Sequence, residues 1–239
     1  MAAAEHARSA GAALMVRIAQ MGGLVEQQLV DVIAAVERRD PALGQAVMDA
    51  DVEVDASLAD IEKAVTERLR RGGLSERALR ESMSVLKIAG ELERIGDLAK
   101  NIGKRSRVVS VHDPVKSISG VMRMGRISLR QVTEVLNALG AVDVDAAMAV
   151  WSGDDELDEL HNSLFEEILG HMDRDKASVA AATHLVFIAK NFERVGDHAT
   201  NIAESVYFLG TGTHLVEARP KSDVTPLYGA SVGAGSASR

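Results

Sequence analysis

The sequence predicts an all-α protein made of two tandem antiparallel three-helix bundles that are related by an internal repeat. Three observations lead to this fold class. Apolar residues recur every three or four positions along six long stretches, which is the period of an amphipathic helix. Glycine and proline are sparse, at 20 and 4 in 239 residues, and aromatic residues make up only 3%. Sheets rely more on aromatic and β-branched residues, whereas Ala, Leu, Glu and Arg favour helices.

The first repeat is predicted to span residues 5–110 and to contain three helices. The first helix occupies residues 5–38. Asp40-Pro41 then supplies an N-cap followed by proline at the first helical position, a common way for a helix to begin. Gly72-Gly73 ends the second helix. The third helix runs over residues 75–109, with a serine as its N-cap.

The second repeat is predicted to span residues 111–212 and to follow the same plan. Asp113-Pro114 repeats the cap-plus-proline signal and should open the fourth helix. A turn at residues 140–143 ends that helix. The fifth helix carries its apolar residues from 150 to 168 as one continuous element, and the sixth runs from about 175 to 209.

The connections between these helices are short, so neighbouring helices should pack antiparallel as bundles. Residues 213–239 differ from the rest in being rich in Gly, Ser, Ala, Pro and Thr. A segment of this composition buries too little apolar surface to fold by itself. We therefore expect a disordered C-terminal tail.

Composition also limits the classes of function. The formal net charge is −8, and no basic face is evident, so we expect no nucleic-acid partner. The chain has no cysteine, which excludes disulfides, thiolate metal sites and cysteine nucleophiles. No apolar run approaches the ~20 residues of a membrane span, and the N-terminus does not resemble a signal peptide. We expect a soluble, cytoplasmic protein.

The repeat itself is the most informative feature of the sequence. Residues 93–102 read Glu-Arg-Ile-Gly-Asp-Leu-Ala-Lys-Asn-Ile, and residues 193–202 read Glu-Arg-Val-Gly-Asp-His-Ala-Thr-Asn-Ile. Seven of the ten positions are identical. A second pair supports the repeat, because Asp-Val-Glu-Val-Asp at 51–55 corresponds to Asp-Asp-Glu-Leu-Asp at 154–158.

Each repeat therefore has one Asp-x-x-x-Asp and one Glu-x-x-x-Asp motif on two helices that should be neighbours. Residues four apart share a helical face, and like charges at that spacing destabilise a bare helix. A divalent or trivalent cation would remove the repulsion, and oxygen ligands suit Mg, Ca, Mn or Fe. The predicted ligands are Asp51, Asp55, Glu93, Asp97 and Asn101 in the first repeat and Asp154, Asp158, Glu193, Asp197 and Asn201 in the second.

The position of these motifs relative to the apolar seam bears on the kind of metal site. The seam of the third helix consists of Val85, Ile88, Leu92, Ile95, Ala99 and Ile102. Glu93 and Asp97 lie away from it, which predicts an accessible face with exchangeable metal rather than a buried di-iron centre. His198, which follows Asp197, could add a nitrogen ligand to one site. Gly96 and Gly196 are explained equally well by close helix approach or by room for a ligand.

At these residues the sequence resembles the PhoU family, through two three-helix repeats that each carry Glu-Arg-[Ile/Val]-Gly-Asp-x-Ala-x-Asn-Ile and an upstream Asp-x-x-x-Asp. The likeness covers about residues 5–212. It implies a non-enzymatic negative regulator of the phosphate-starvation response and of high-affinity phosphate uptake. The implied partners are the ATPase subunit of the phosphate ABC transporter and a membrane sensor histidine kinase. It also implies a homodimer that reaches the membrane only through protein partners.

The resemblance further implies surface metal clusters held by the paired acidic motifs, with Mg, Mn, Fe, Zn or Ca as candidate ions. Two other readings of the same residues remain open. The carboxylates could serve a metal-dependent hydrolase or oxidase, which would need open coordination positions and a general base nearby. The chain could also be a storage or structural bundle. We find no serine-nucleophile elbow, P-loop or dinucleotide-binding motif.

Overall fold

A computed structural model describes residues 2–112, 117–153 and 155–216, with side chains from residue 10 onward. This part of the chain contains helices, turns and no strand, as the sequence predicts. The helices are α1 (Ala2–Arg38), α2 (Pro41–Arg71), α3 (Glu76–Val109), α4 (Ile118–Ala141), α5 (Val144–Ser152), α6 (Asp155–Arg174) and α7 (Val179–Thr211). Residues 217–239, most of the predicted tail, lie outside the described residues.

Local sequence explains where α2 and α3 begin. Asp40 accepts hydrogen bonds from the backbone N–H groups of Ala42 and Leu43, and Pro41 occupies the first helical position of α2. Ser75 caps α3 in the same way. The predicted cap at Asp113-Pro114 lies outside the described residues, and α4 begins at Ile118.

The prediction that the fifth helix is one continuous element is wrong. The structure divides it into α5, which ends at Ser152 with Gly153 as its C-cap, and α6, which begins at Asp155. Asp154 lies outside the described residues. Periodicity did not reveal the break because a glycine within a helical pattern lowers helix stability by only about 1 kcal/mol and is often tolerated. The sixth predicted helix also begins later, since a short 3₁₀ turn at Lys176–Ser178 precedes α7.

The two repeats pack through their last helices. α3 packs against α7 more extensively than any other two described helices do, and α1 also contacts α4. The pair is antiparallel, because Glu91 lies beside Asn201 and Arg105 lies over the ring of Phe187. α2 flanks α1 and α3 on one side, while α5 and α6 flank α7 and α4 on the other.

A single hydrophobic core runs through both repeats. The predicted seam of α3 is buried throughout, and the corresponding seam of α7 is buried around Phe192. Gly125 of α4 permits this packing, because a Cβ there would lie 2.9 Å from Phe192 Cζ and 3.0 Å from Ile33 Cγ1. The shared core fixes the relative position of α3 and α7, the two helices with the repeated motif.

Candidate metal centres

The first acidic cluster consists of Asp51 and Asp55 on α2 and Glu93 and Asp97 on α3. Burial, followed by the negative charge of Asp97, raises the pKa of Glu93 above its ordinary value. Asp55 and Asp51 act in the same direction from the neighbouring helix. The structure therefore brings the two motifs of the first repeat close enough for all four carboxylates to interact.

A lysine balances part of this negative charge. Lys100 Nζ lies 2.6 Å from Asp51 Oδ2 and 4.0 Å from Asp97 Oδ1. Asp51 is only 2% exposed, and a buried carboxylate without a partner would be strongly unfavourable. The hydrogen bond to Asp51 in turn raises the pKa of Lys100. The ammonium group thus occupies one side of the first cluster.

Gly96 provides space for two polar side chains beside this cluster. A Cβ at this position would lie 3.1 Å from Gln28 Oε1 and 3.3 Å from Asp51 Oδ1. Gln28 reaches this point from α1 and is 3% exposed. Of the two explanations that the sequence left open for Gly96, the structure supports close approach of the neighbouring helices.

The second acidic cluster, within the described residues, consists of Asp158 on α6 and Glu193 and Asp197 on α7. Asp158 is 3% exposed and Glu193 is 4% exposed. Burial raises the pKa of Glu193 to about 7, and the charges of Asp197 and Asp158 add to the effect. Lys190 opposes it, with Nζ 2.9 Å from Glu193 Oε1.

The predicted Asp154–Asp158 ladder can be followed only at Asp158, because Asp154 lies outside the described residues. Asp158 belongs to the first turn of α6, which begins at Asp155. Acidic residues in a first turn interact favourably with the helix dipole. The first repeat differs, because Asp51 and Asp55 both lie within the unbroken α2.

The prediction of an accessible face is wrong for the most buried members of both clusters. Asp51, Asp158 and Glu193 are all buried, whereas the Asp97 side chain is 41% exposed. On α3 as a lone helix, a residue away from the apolar seam would face water. In the fold, α2 covers that side of α3, and α6 covers the corresponding side of α7.

Two residues assigned to the second site instead connect the repeats. Asn201 Nδ2 donates to Glu91 Oε2 at 3.0 Å, and His198 Nδ1 lies 2.7 Å from the same oxygen. Burial alone would raise the pKa of Glu91, but these two hydrogen bonds bring it below its ordinary value. The structure thus pairs Asn201 and His198 of α7 with Glu91 of α3 and not with the carboxylates of the second cluster. Asn101 is exposed.

The side chains as placed do not form a metal site. Among the described residues, no three carboxylate or histidine groups are arranged so that they could hold one ion. Two buried atoms nevertheless fit a cation, since Glu193 Oε2 and Gln28 Oε1 have no hydrogen-bond partner among those residues. An unpaired buried acceptor costs about 1–3 kcal/mol. The oxygen donors suit a hard cation, which would take over the role of the lysines.

Several residues at these clusters were missed from the sequence. Lys100 and Lys190 lie at positions where the repeats differ, so comparison of identical residues did not select them. The repeat could have revealed Gln28, because α4 carries Gln131 at the corresponding position and both side chains are buried.

Fold and clusters together define a class of protein: a two-repeat helical bundle in which each repeat carries one partly buried acidic cluster. A family model described as the PhoU domain matches residues 18–106 and again residues 121–206. The chain belongs to the PhoU family, as its repeated motif predicted. None of the described helices is both long and apolar enough to cross a membrane.

Individual relatives cover nearly the same part of the chain. It is 42% identical over 212 residues to the phosphate-specific transport system accessory protein PhoU homolog of Caulobacter vibrioides (strain NA1000 / CB15N), covering 88% of this chain and 92% of that protein. The homolog of Rhizobium meliloti (strain 1021) is 40% identical over 215 residues, covering 89% and 90%. The crystal structure of PhoU from Pseudomonas aeruginosa has a TM-score of 0.83 at 28% identity, covering 86% and 99%.

Proposed function

We propose that this chain is a regulatory adaptor of a phosphate-specific transport system and not an enzyme. It restrains high-affinity phosphate uptake and represses the phosphate-starvation response when phosphate is plentiful. The observation that carries this proposal is family membership over most of the chain, including both copies of the acidic motif. The relatives are named as accessory proteins of phosphate-specific transport, and those names include no reaction.

The proposed partners follow from this role. The chain acts in the cytoplasm, as a homodimer, on the ATPase subunit of the phosphate ABC transporter and on a phosphate sensor histidine kinase. It reaches the membrane only through these proteins, and its net charge of −8 gives no support for a nucleic-acid partner. Sedimentation of the purified protein tests the homodimer, and a monomer at micromolar concentration would contradict it.

The proposal includes a cation at each acidic cluster. Its support is the presence of buried, mutually repelling carboxylates in both repeats, together with the unpaired oxygens of Glu193 and Gln28. When bound, the cation would neutralise charge and join α2 to α3 and α6 to α7. Asp51, Asp55, Glu93 and Asp97 would hold it in the first repeat. Asp158, Glu193 and Asp197 would hold it in the second.

A complementation experiment tests the adaptor role. Deletion of the gene should leave phosphate-responsive promoters active in phosphate-rich medium, and the wild-type gene should restore repression. Normal repression in the deletion strain would overturn the proposal.

A matched pair of quadruple alanine variants tests the metal sites. The first replaces Glu93, Asp97, Glu193 and Asp197. The control replaces four exposed acidic residues outside the clusters and has the same change in net charge: Glu53, Asp60, Asp145 and Glu159. Elemental analysis should show that the first variant loses metal and the control retains it. Equal metal content in the two variants would refute the assignment.

Metal binding should also stabilise the fold. A cation at a hundred times its dissociation constant adds about 2.7 kcal/mol to the free energy of unfolding if it does not bind the unfolded chain. We expect the melting temperature of the wild type and of the control to rise with metal and to fall with a chelator. A wild-type melting temperature that responds to neither would exclude a structural role for the ion.

A further inference from the structure

A pocket lies between the N-terminal half of α1, the last turns of α2 and the loop that follows α2. Its volume is about 460 Å³, and small-molecule sites typically have volumes of roughly 300–1,000 Å³. The walls are largely apolar and include Ala10, Ala13, Leu14, Ala64 and Leu74. No carboxylate of the two acidic clusters is among the described residues that line it, so the pocket is separate from the proposed metal sites.

Positive charge is in excess around this pocket, although the chain as a whole has a net charge of −8. Of the described residues that line it, Arg17, Arg68 and Arg71 are positively charged, and Glu67 alone is negatively charged. The Glu67 carboxylate is shared, because its Oε1 atom lies 2.9 Å from Arg70 Nη2 and 3.4 Å from Arg71 Nε. Arg17 has no hydrogen-bond or ion-pair partner among the described residues, so its guanidinium group is available to an anion.

Arg68 is the buried member of this group, at 6% exposed. Its Nη2 atom donates to Glu81 Oε2 at 2.7 Å, and its Nη1 atom donates to Ser82 Oγ at 3.2 Å. These contacts with α3 hold the guanidinium group in place and neutralise its charge. The excess positive charge therefore comes from the two exposed arginines that line the pocket, Arg17 on α1 and Arg71 on α2.

The helix dipole explains only part of this arrangement. Arg68, Arg70 and Arg71 lie in the last turn of α2, where basic side chains stabilise a helix C-terminus. Arg17 lies well inside α1 and donates no hydrogen bond to the described carbonyl groups of α2. An anion bound between α1 and α2 would give this guanidinium group a partner.

The corresponding space is closed in the second repeat. The alignment in which Gln131 corresponds to Gln28 puts Gly120 of α4 at the position of Arg17. A Cβ at Gly120 would clash with the side chain of Leu164 on α6. The two helices are therefore in direct contact at the point where the first repeat has an arginine beside a pocket.

A hydrogen bond joins the next pair of corresponding positions. Ser117 and Glu167 correspond to Leu14 and Ala64, which line the pocket in the first repeat. Ser117 Oγ donates to Glu167 Oε1 at 2.7 Å. Since one repeat closes this space and the other leaves it open, the packing of the fold does not by itself require the pocket.

We propose that the pocket binds a small anionic amphiphile, with a phosphate or carboxylate head at Arg17 and Arg71 and an aliphatic body against Leu14 and Leu74. Guanidinium groups bind both kinds of head through paired, charge-assisted hydrogen bonds. None of the described lining residues is aromatic, so the walls offer no ring on which the base of a nucleotide could stack. The assignment does not depend on metal binding, because it uses other residues.

Titration calorimetry of the purified full-length chain tests the ligand class. Octyl phosphate and octanoate each combine an anionic head with an aliphatic body, and comparison of the two identifies the preferred head. Inorganic phosphate has the head alone, octyltrimethylammonium has the body with the opposite charge, and ATP tests a nucleotide. We expect at least one of the two octyl anions to bind about tenfold or more tightly than each of the other three compounds.

A matched pair of double variants tests the location. Arg17→Gln with Arg71→Gln removes two charges from the pocket, and Lys63→Gln with Lys104→Gln removes two from exposed positions outside it. The first should weaken binding of the octyl anion about tenfold or more, because hydrogen bonds to charged groups are stronger than neutral ones, and the second should leave it unchanged.

A third variant tests the apolar wall. Ala13→Leu places a larger side chain on the exposed part of that wall without a change in charge, and it should weaken binding of the octyl anion. Circular dichroism checks folding, which all these variants should retain because each replaced side chain is exposed, except that of none in the core.

Three outcomes would overturn the proposal. Absence of binding by both octyl anions at millimolar concentration would exclude the site, and equal affinities in the two double variants would place the bound anion elsewhere. ATP binding that is tighter than that of the octyl anions and is lost in the Arg17→Gln, Arg71→Gln variant would exclude the aliphatic body. Elemental analysis of the same variants should show unchanged metal content, so failure here and failure of the proposed metal sites are distinguishable.

Discussion

The two acidic clusters share a motif but differ in their surroundings. In the first cluster, the Glu93 side chain is 21% exposed, and Lys100 contacts the buried Asp51. In the second, the Glu193 side chain is 5% exposed, and Lys190 contacts it directly. The deeper burial explains why the pKa of Glu193 rises as far as about 7.

The lysines show how repeats can diverge while retaining charge balance. Lys100 follows Asp97 by three residues, and the corresponding residue is Thr200. Lys190 precedes Glu193 by three, and the corresponding residue is Gly90. Each cluster therefore has one lysine, but the two lysines occupy different positions of the corresponding helices α3 and α7. The carboxylates are repeated, whereas the position of their counterion is not.

The largest expected effect is at Glu193. Its raised pKa means that, between pH 4.5 and about 7, the folded protein keeps a proton that the unfolded chain releases. The free energy of unfolding therefore falls as pH rises through this window, by about 3 kcal/mol at about 1.4 kcal/mol per pKa unit. Glu193→Gln removes the ionisable group, so this fall in the free energy of unfolding with rising pH should disappear.

Urea denaturation of the metal-free protein at pH 4.5 and pH 8 measures the effect. We expect the Gln variant to match the wild type at pH 4.5 and to be more stable at pH 8. Glu93→Gln serves as the matched variant, with a smaller change in the same direction because Glu93 is more exposed. An equal response in the two variants would mean that the difference in burial has no energetic consequence.

Lys100→Thr replaces the lysine of the first cluster with the residue of the second repeat. Asp51 would lose its charged hydrogen-bond donor at 2.6 Å, and such bonds are worth about 1.5–3 kcal/mol. Without metal, we expect the free energy of unfolding to fall by that amount. The difference from the wild type should become smaller when Mg²⁺ or Mn²⁺ is added. Lys104→Thr on the same exposed side of α3 controls for helix propensity. If both variants lose the same stability, the Asp51 contact contributes nothing.

The smallest expected effects come from two glycines of α3. Gly96→Ala should destabilise the protein by about 1 kcal/mol net, because the new Cβ lies 3.1 Å from Gln28 Oε1 and 3.3 Å from Val54 Cγ1. Gly90→Ala meets nothing within 4 Å and should stabilise α3 by about 0.5–1 kcal/mol. Thermal melts of both variants are sufficient, and a stabilising Gly96→Ala would show that the contact is not tight.

Repetition explains why so much could be predicted. The string at 93–102 recurs at 193–202, and together with the periodic apolar residues it indicated the helices, their pairing and the family. The cap signal at Asp40-Pro41 gave the start of α2 to the residue. These features are local in sequence, so each can be read without knowledge of what packs against it.

The failures concern properties that depend on neighbouring elements. Burial of Glu193 arises from α6, and the partner of Asn201 is Glu91 from the other repeat. The division of α5 from α6 arises at a glycine that the apolar period passes over. The burial of Glu193 and the pairing of Asn201 are not encoded within one turn of α7.

The sequence by itself determined the helical fold, its duplication, and the carboxylates that each repeat presents four residues apart. These follow from backbone propensity, from hydrophobic period and from residue identity, which are properties of short segments. Only the tertiary structure decided which carboxylates are buried, which lysine balances them, and that His198 pairs with Glu91 of the other repeat. Those properties depend on the packing of α2 on α3, of α6 on α7, and of α3 on α7, because burial and electrostatic coupling exist only between segments brought together by folding.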